Sequence, residues 1–103
     1  MNNLQSLSLK QIQYFTAVAE YGSFRQAAFR LNITQPTLSN QVAALEKTLK
    51  VQLFERSRKG INTTAQGREL LQSARRILEE AQGFATQAAM LSGGGMGTYR
   101  LGV

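Results

Sequence analysis

The run from Ser23 to Val42 is the part of this chain with the fewest ways to fold. It predicts two short helices, each opened by a hydroxyl cap and joined by a turn too tight to be anything but a fixed corner. Ser23 with Gln26 three residues on has the spacing of a capping box, in which two side chains satisfy backbone amides that a helix start leaves orphaned. Ala27, Ala28 and Leu31 then supply an apolar stripe, and Asn32 tolerates the left-handed backbone that ends a helix. Thr34 caps the next helix. Pro36 falls in its first turn, where the missing N–H costs nothing. Two helices crossing steeply through so short a turn make a helix-turn-helix, whose second helix is shaped to enter a DNA major groove.

At about 100° per residue, Leu38, Val42, Leu45 and Leu49 fall on one face of that second helix and point into a core. The opposite side carries Pro36, Thr37, Asn40, Ala43 and Ala44, flanked by Gln35, Ser39 and Gln41. An ordinary solvated face carries Lys and Glu, whereas this one carries amides and hydroxyls that can approach base edges and phosphates closely. Asn and Gln pair with adenine, and Ser and Thr bond to bases or phosphates. The plainer alternative is a polar surface with no ligand.

Charge weighs against that alternative. Twelve basic residues against six acidic ones give a net charge of +6 in 103 residues, the balance of a polyanion binder. Residues 1–63 hold eight of the basic residues and three of the acidic ones; residues 64–92 hold three of each. The positive field therefore belongs to the helix-turn-helix half. Cysteine, histidine and aspartate are absent, which removes disulfides, thiolate or imidazole metal sites and His- or Cys-based catalysis. The glutamates fall mostly on helix surfaces. Neither a membrane-spanning apolar run nor a signal peptide's hydrophobic core is present. These features predict a cytoplasmic, non-enzymatic protein with no cofactor in this chain.

Before Ser23, a helix over 9–21 opens on Ser8 with Gln11 in a second capping box and ends at Gly22. Leu9, Ile12, Phe15, Val18 and Ala19 face inward, and Tyr14 and Tyr21 are half-buried packing residues. With helices over 24–31 and 35–49 it forms a three-helix core. Lys50 then stands where a glycine would comfortably end the third helix. Val51 to Arg56 feeds a hairpin tipped by Ser57-Arg58-Lys59-Gly60, and Ile61-Asn62-Thr63 returns as the second strand. Such a ribbon after a helix-turn-helix is a wing, and Arg56, Arg58 and Lys59 suit it to phosphates or the minor groove.

From Thr64 to about Leu91 the helical pattern returns. Leu70, Ala74, Ile77, Ala81, Phe84, Ala88 and Leu91 repeat at alternating steps of four and three, a heptad seam. A helix of about 40 Å outruns so small a core, so much of its apolar face needs another partner. An antiparallel homodimer centred near Ala81 would set Phe84 near the partner's Ile77; packing on a further domain is the alternative. Gly67 and Gly83 each weaken the helix by about 1 kcal/mol relative to alanine. Gly83 is the candidate for close helix approach. Residues 93–103 read as a hinge and an opening strand with nothing to pair with, which predicts an excised N-terminal portion of a longer protein.

Taken together these residues resemble the N-terminal DNA-binding region of LysR-type transcriptional regulators, bacterial proteins. The stretches that carry the likeness are Tyr14-Phe15, Val18-Ala19-Glu20, Gly22-Ser23-Phe24, Ala27-Ala28, Leu31, Thr34-Gln35-Pro36, Leu38-Ser39, Gln41-Val42, Leu45-Glu46, Val51 to Arg56, and Thr64 with Gly67. The resemblance implies a mainly α fold: a winged helix-turn-helix over 1–63, a linker helix over 64–92 that dimerises, and over 93–103 the start of an absent domain that senses a small-molecule effector. Double-stranded DNA with an interrupted palindrome is the implied partner of a homodimer, with room for a tetramer in the full-length protein. By the same resemblance Gln35, Pro36, Thr37, Ser39 and Asn40 are the recognition positions. Ser23, Arg25, Thr34, Gln41, Arg56, Arg58 and Lys59 would hold phosphates. Asn40 stands where the family very often has arginine, which exchanges a guanine-directed contact for an adenine-directed or weaker one. Lys50 stands where glycine is usual.

Two rival readings come from other classes. A protein-interaction module would use the long helix for assembly and bind no nucleic acid. A single-strand or RNA binder would need exposed aromatics for base stacking, and Phe15, Phe24, Phe29, Phe54 and Phe84 fall mostly at core or seam positions.

Overall fold

The computed structural model describes residues 6–93, so the hinge and strand expected over 93–103 lie, but for Gly93, outside the described residues. The order is α1 (Leu9–Tyr21), α2 (Phe24–Leu31), α3 (Gln35–Leu49), β1 (Phe54–Ser57), β2 (Gly60–Thr63) and α4 (Ala65–Leu91). Each helix start is built by its cap. The hydroxyls of Ser8, Ser23, Thr34 and Thr64 accept from the backbone N–H groups of Gln11, Gln26, Thr37 and Gly67. Among the described residues only this hydroxyl half of the two expected capping boxes forms. The Gln11 side chain is drawn away to α3 instead.

The helix ends take the expected left-handed turn. Gly22, Asn32 and Lys50 all adopt left-handed backbone, with φ of 66°, 60° and 58°. Lys50 has a Cβ there and so costs about 1 kcal/mol relative to glycine. Two hydrogen bonds hold the corner that follows. One Glu46 carboxylate oxygen on α3 accepts from the amides of Leu53 (2.7 Å) and Phe54 (3.3 Å), and so fixes where the wing leaves the helix.

Val18, Leu38, Val42, Leu45 and Leu53 are fully sealed at the centre of the three-helix core. Each contributes roughly 1.5–3 kcal/mol by leaving water. Phe54 closes the core from the wing side. Its ring lies edge-on to Phe15 and Phe24, with centroids 5.6 and 5.8 Å apart. The wing is antiparallel, pairing Phe54 with Thr63, Glu55 with Asn62, Arg56 with Ile61 and Ser57 with Gly60. Arg58 and Lys59 make the two-residue tip. Gly60 follows at φ 124°, a conformation that disfavours any side chain.

α4 packs across α1, and its first turn is locked to the wing. The Thr64 hydroxyl donates to the Gln52 carbonyl (2.6 Å) and accepts from Gly67 N–H (2.9 Å). Gly67 is the glycine of close approach, because a Cβ there would run into the Leu53 carbonyl oxygen and the Thr63 methyl group. At Gly83 an added Cβ has nothing within 4 Å among the described residues of this chain. The seam divides as well. Ala74 is 5% exposed and belongs to this chain's own core, and Leu70, Leu71 and Leu78 pack against it. Phe84 and Leu91 stand 76% and 81% exposed.

Burial departs from expectation at Leu9, Tyr14 and Tyr21. Leu9, expected to face inward, is half exposed in the first turn of α1, and Tyr21 is exposed, whereas Tyr14 is buried. Phe29 is 82% exposed. The buried stripe of α2 runs through Phe24, Ala27 and Ala28, and Phe29 lies about 100° round the helix from Ala28, outside that stripe.

Candidate nucleic-acid interface

α3 is anchored by Leu38, Val42 and Leu45, all buried, and its opposite side is therefore forced outward. Gln35, Pro36, Thr37 and Asn40 are exposed there, and Ser39 and Gln41 are half-buried on the flanks. Thr34 and Thr37 are coupled: the Thr34 hydroxyl donates to Thr37 Oγ1 at 2.7 Å while accepting from the Thr37 backbone. This leaves the Thr37 O–H free to donate outward. The N-terminal end of α3 also carries partial positive charge and unpaired N–H groups, which favour an anion.

Arg56 occupies the wing strand with its side chain on the same face as Phe54, two residues before it. Its guanidinium lies over the Phe24 ring, 4.4 Å from the centroid. Phe24, Ser39, Ala43, Glu46 and Arg56 line one cleft, so the structure brings the flank of α3 and the base of the wing together. Arg58 and Lys59 stand farther out at the exposed tip. Arg25 is exposed at the start of α2, beside the half-buried Ser23 cap. The positions proposed for phosphates thus come from three elements: the α2 start, the α3 start and flank, and the wing.

Two side chains that shape the candidate interface escape sequence reasoning. Gln11 on α1 is 8% exposed, and its Nε2 donates to Gln41 Oε1 at 3.2 Å. Gln11 Oε1 meets no donor among the described residues, a cost of about 1–3 kcal/mol for a buried acceptor. In the sequence Gln11 looks like a capping residue, and no local signal points thirty positions on to Gln41. Glu46 is the other, and its acidity in a basic half of the chain was the available clue. Its carboxylate serves the wing amides rather than any ligand.

Comparison with known proteins places this geometry. Residues 9–68 match the family described as bacterial regulatory helix-turn-helix protein, lysR family. The HTH-type transcriptional regulator TfdT of Cupriavidus pinatubonensis is 38% identical over 92% of this chain, which spans 42% of that regulator's length. Two solved structures share the fold. The DNA-binding domain of BenM in complex with catB site 1 DNA is 35% identical with a TM-score of 0.82, over 85% of this chain and 99% of that one. The DNA-binding domain of CbnR in complex with DNA is 42% identical with a TM-score of 0.79, over 84% and 100%. With the family match over residues 9–68 and the shared fold, this chain belongs to the LysR family of bacterial regulatory helix-turn-helix proteins.

Proposed function

We propose that this chain binds double-stranded DNA sequence-specifically, as the DNA-binding part of a homodimeric transcriptional regulator. One observation carries the reading: an exposed α3 face without charge lies beside a wing that holds three basic residues. α3 enters the major groove with Gln35, Pro36, Thr37, Ser39 and Asn40 toward base edges. Ser23, Arg25, Thr34, Gln41, Arg56, Arg58 and Lys59 hold the backbone and fix the register. The BenM and CbnR domains, similar in fold and solved with DNA, support this assignment.

The dimer is formed by α4. Its 27 residues reach about 40 Å; Leu78 still packs on the core and Ala81 is half-covered, but Ile77, Phe84 and Leu91 on the seam are exposed among the described residues. The interface therefore starts at Ile77 and continues through Ala81, Phe84, Ala88 and Leu91, with Leu70 at its margin. Ala74 supports it from inside the core. No described helix is long and apolar enough to cross a membrane. A regulator of this kind works in the bacterial cytoplasm and catalyses no reaction. A small-molecule effector belongs to a separate domain of the full-length protein.

Titration of a fluorescent duplex by anisotropy at several salt concentrations tests the reading against the protein-interaction module. Each phosphate neutralised contributes about −0.9 to the slope of log affinity against log salt. A steep negative slope is expected, and absent or salt-independent binding would favour the module.

A further inference from the structure

We propose that Gln11 is a positioning residue that makes Gln41 a donor-only contact to a DNA phosphate. The inference rests on the DNA-binding reading above and deepens it. A glutamine side chain can turn over and present either its oxygen or its NH2 group. Gln41 does not have that freedom here, because its Oε1 is held inward by Gln11 Nε2 at 3.2 Å. Its Nε2 makes no hydrogen bond among the described residues and is not sealed from solvent, which leaves it to face outward. Bidentate pairing with adenine requires both the oxygen and the NH2 group to face the base, and this oxygen is turned inward toward Gln11. A phosphate oxygen only accepts, and the outward NH2 matches it.

The burial of Gln11 strengthens the assignment. This residue is 8% exposed, and its own Oε1 is left without a donor among the described residues. A methionine would fill the same space with no orphaned acceptor. What glutamine adds at this position is the single hydrogen bond that orients Gln41.

The test uses the 103-residue chain, a duplex recovered from a random pool and a scrambled duplex of equal length. Gln41→Ala should weaken binding to both duplexes by about tenfold, the loss of a hydrogen bond to a charged group. Gln11→Met should weaken both by a smaller factor, and the double variant should bind no worse than Gln41→Ala alone. Side-chain amide NMR resonances of Gln41 should shift in Gln11→Met and in Gln11→Leu, which serves if the methionine variant melts early. Equal losses from Gln11→Met on the wild-type and Gln41→Ala backgrounds would overturn the proposal and leave Gln11 a packing residue. A loss confined to the recovered duplex would overturn the phosphate assignment. Should the unaltered chain bind neither duplex, the DNA-binding reading itself would fall first, an outcome separate from failed coupling.

Discussion

The Arg56 guanidinium lies over the Phe24 ring, 4.4 Å from its centroid, and through that contact the wing is tied to the first helix of the helix-turn-helix. Phe24 in turn packs edge-on to Phe54, the first residue of the wing. Arg56 is thus a structural and a candidate phosphate-binding residue at once. Arg56→Ala should lower stability by about 0.5–1 kcal/mol and speed hydrogen exchange in β1 and β2. Unchanged exchange in both strands would show that the contact does not hold the wing.

The wing tip should behave differently, because Arg58 and Lys59 are exposed in the two-residue turn. Changing both to alanine should leave the melting temperature unaltered. Affinity for specific and scrambled duplexes should fall together, and the salt slope should flatten by up to about two phosphate contacts. A loss limited to the specific duplex would make the tip a reader of bases.

Gly67 and Gly83 sit on one helix and should respond oppositely to alanine. At Gly67 the new Cβ meets backbone, the Leu53 carbonyl, which cannot rotate away. Overpacking of this kind costs about 1–3 kcal/mol, more than the helix-propensity gain of about 1 kcal/mol. Gly83→Ala meets open space and should stabilise by up to about 1 kcal/mol. Thermal or urea unfolding of the two variants checks the contrast.

Phe84 and Leu91 are the most exposed large side chains on the α4 seam, so charge there should not disturb the fold of one chain. Phe84→Glu combined with Leu91→Glu should keep the helical signal yet sediment as a monomer. Each large apolar side chain fully buried in the interface contributes about 1.5–3 kcal/mol to it. A variant that still sediments as a dimer would move the interface to another surface.

The sequence spelled out the helices, caps and wing because each rests on local chemistry: hydroxyls at Ser8, Ser23, Thr34 and Thr64, and turn formers at Gly22, Asn32 and Gly60. Periodicity likewise identified the outward side of α3, since Leu38, Val42 and Leu45 fix its inward one. What escaped depends on which elements meet. Whether α4 buries Ala74 against its own core or offers it to a partner is decided by the packing of α4 on α1, not by the heptad. The reach of Gln11 to Gln41 spans thirty positions, and the clash that makes Gly67 necessary comes from Leu53 and Thr63 across the wing corner. The exposure of Phe29 follows from an α2 stripe that runs through Phe24, Ala27 and Ala28 and passes it by.

Selection of bound duplexes from a random DNA pool, run with the unaltered chain and with Asn40→Ala, tests most directly the claim that α3 reads sequence as part of a dimer. The unaltered chain should enrich an interrupted palindrome whose half-sites lie about one helical turn, 10–10.5 base pairs, or a multiple of it apart. Asn40→Ala should change the preferred base at one position per half-site and cost about 1–3 kcal/mol on the best site. No enriched sequence from the unaltered chain, or an identical motif from both proteins, would contradict the account.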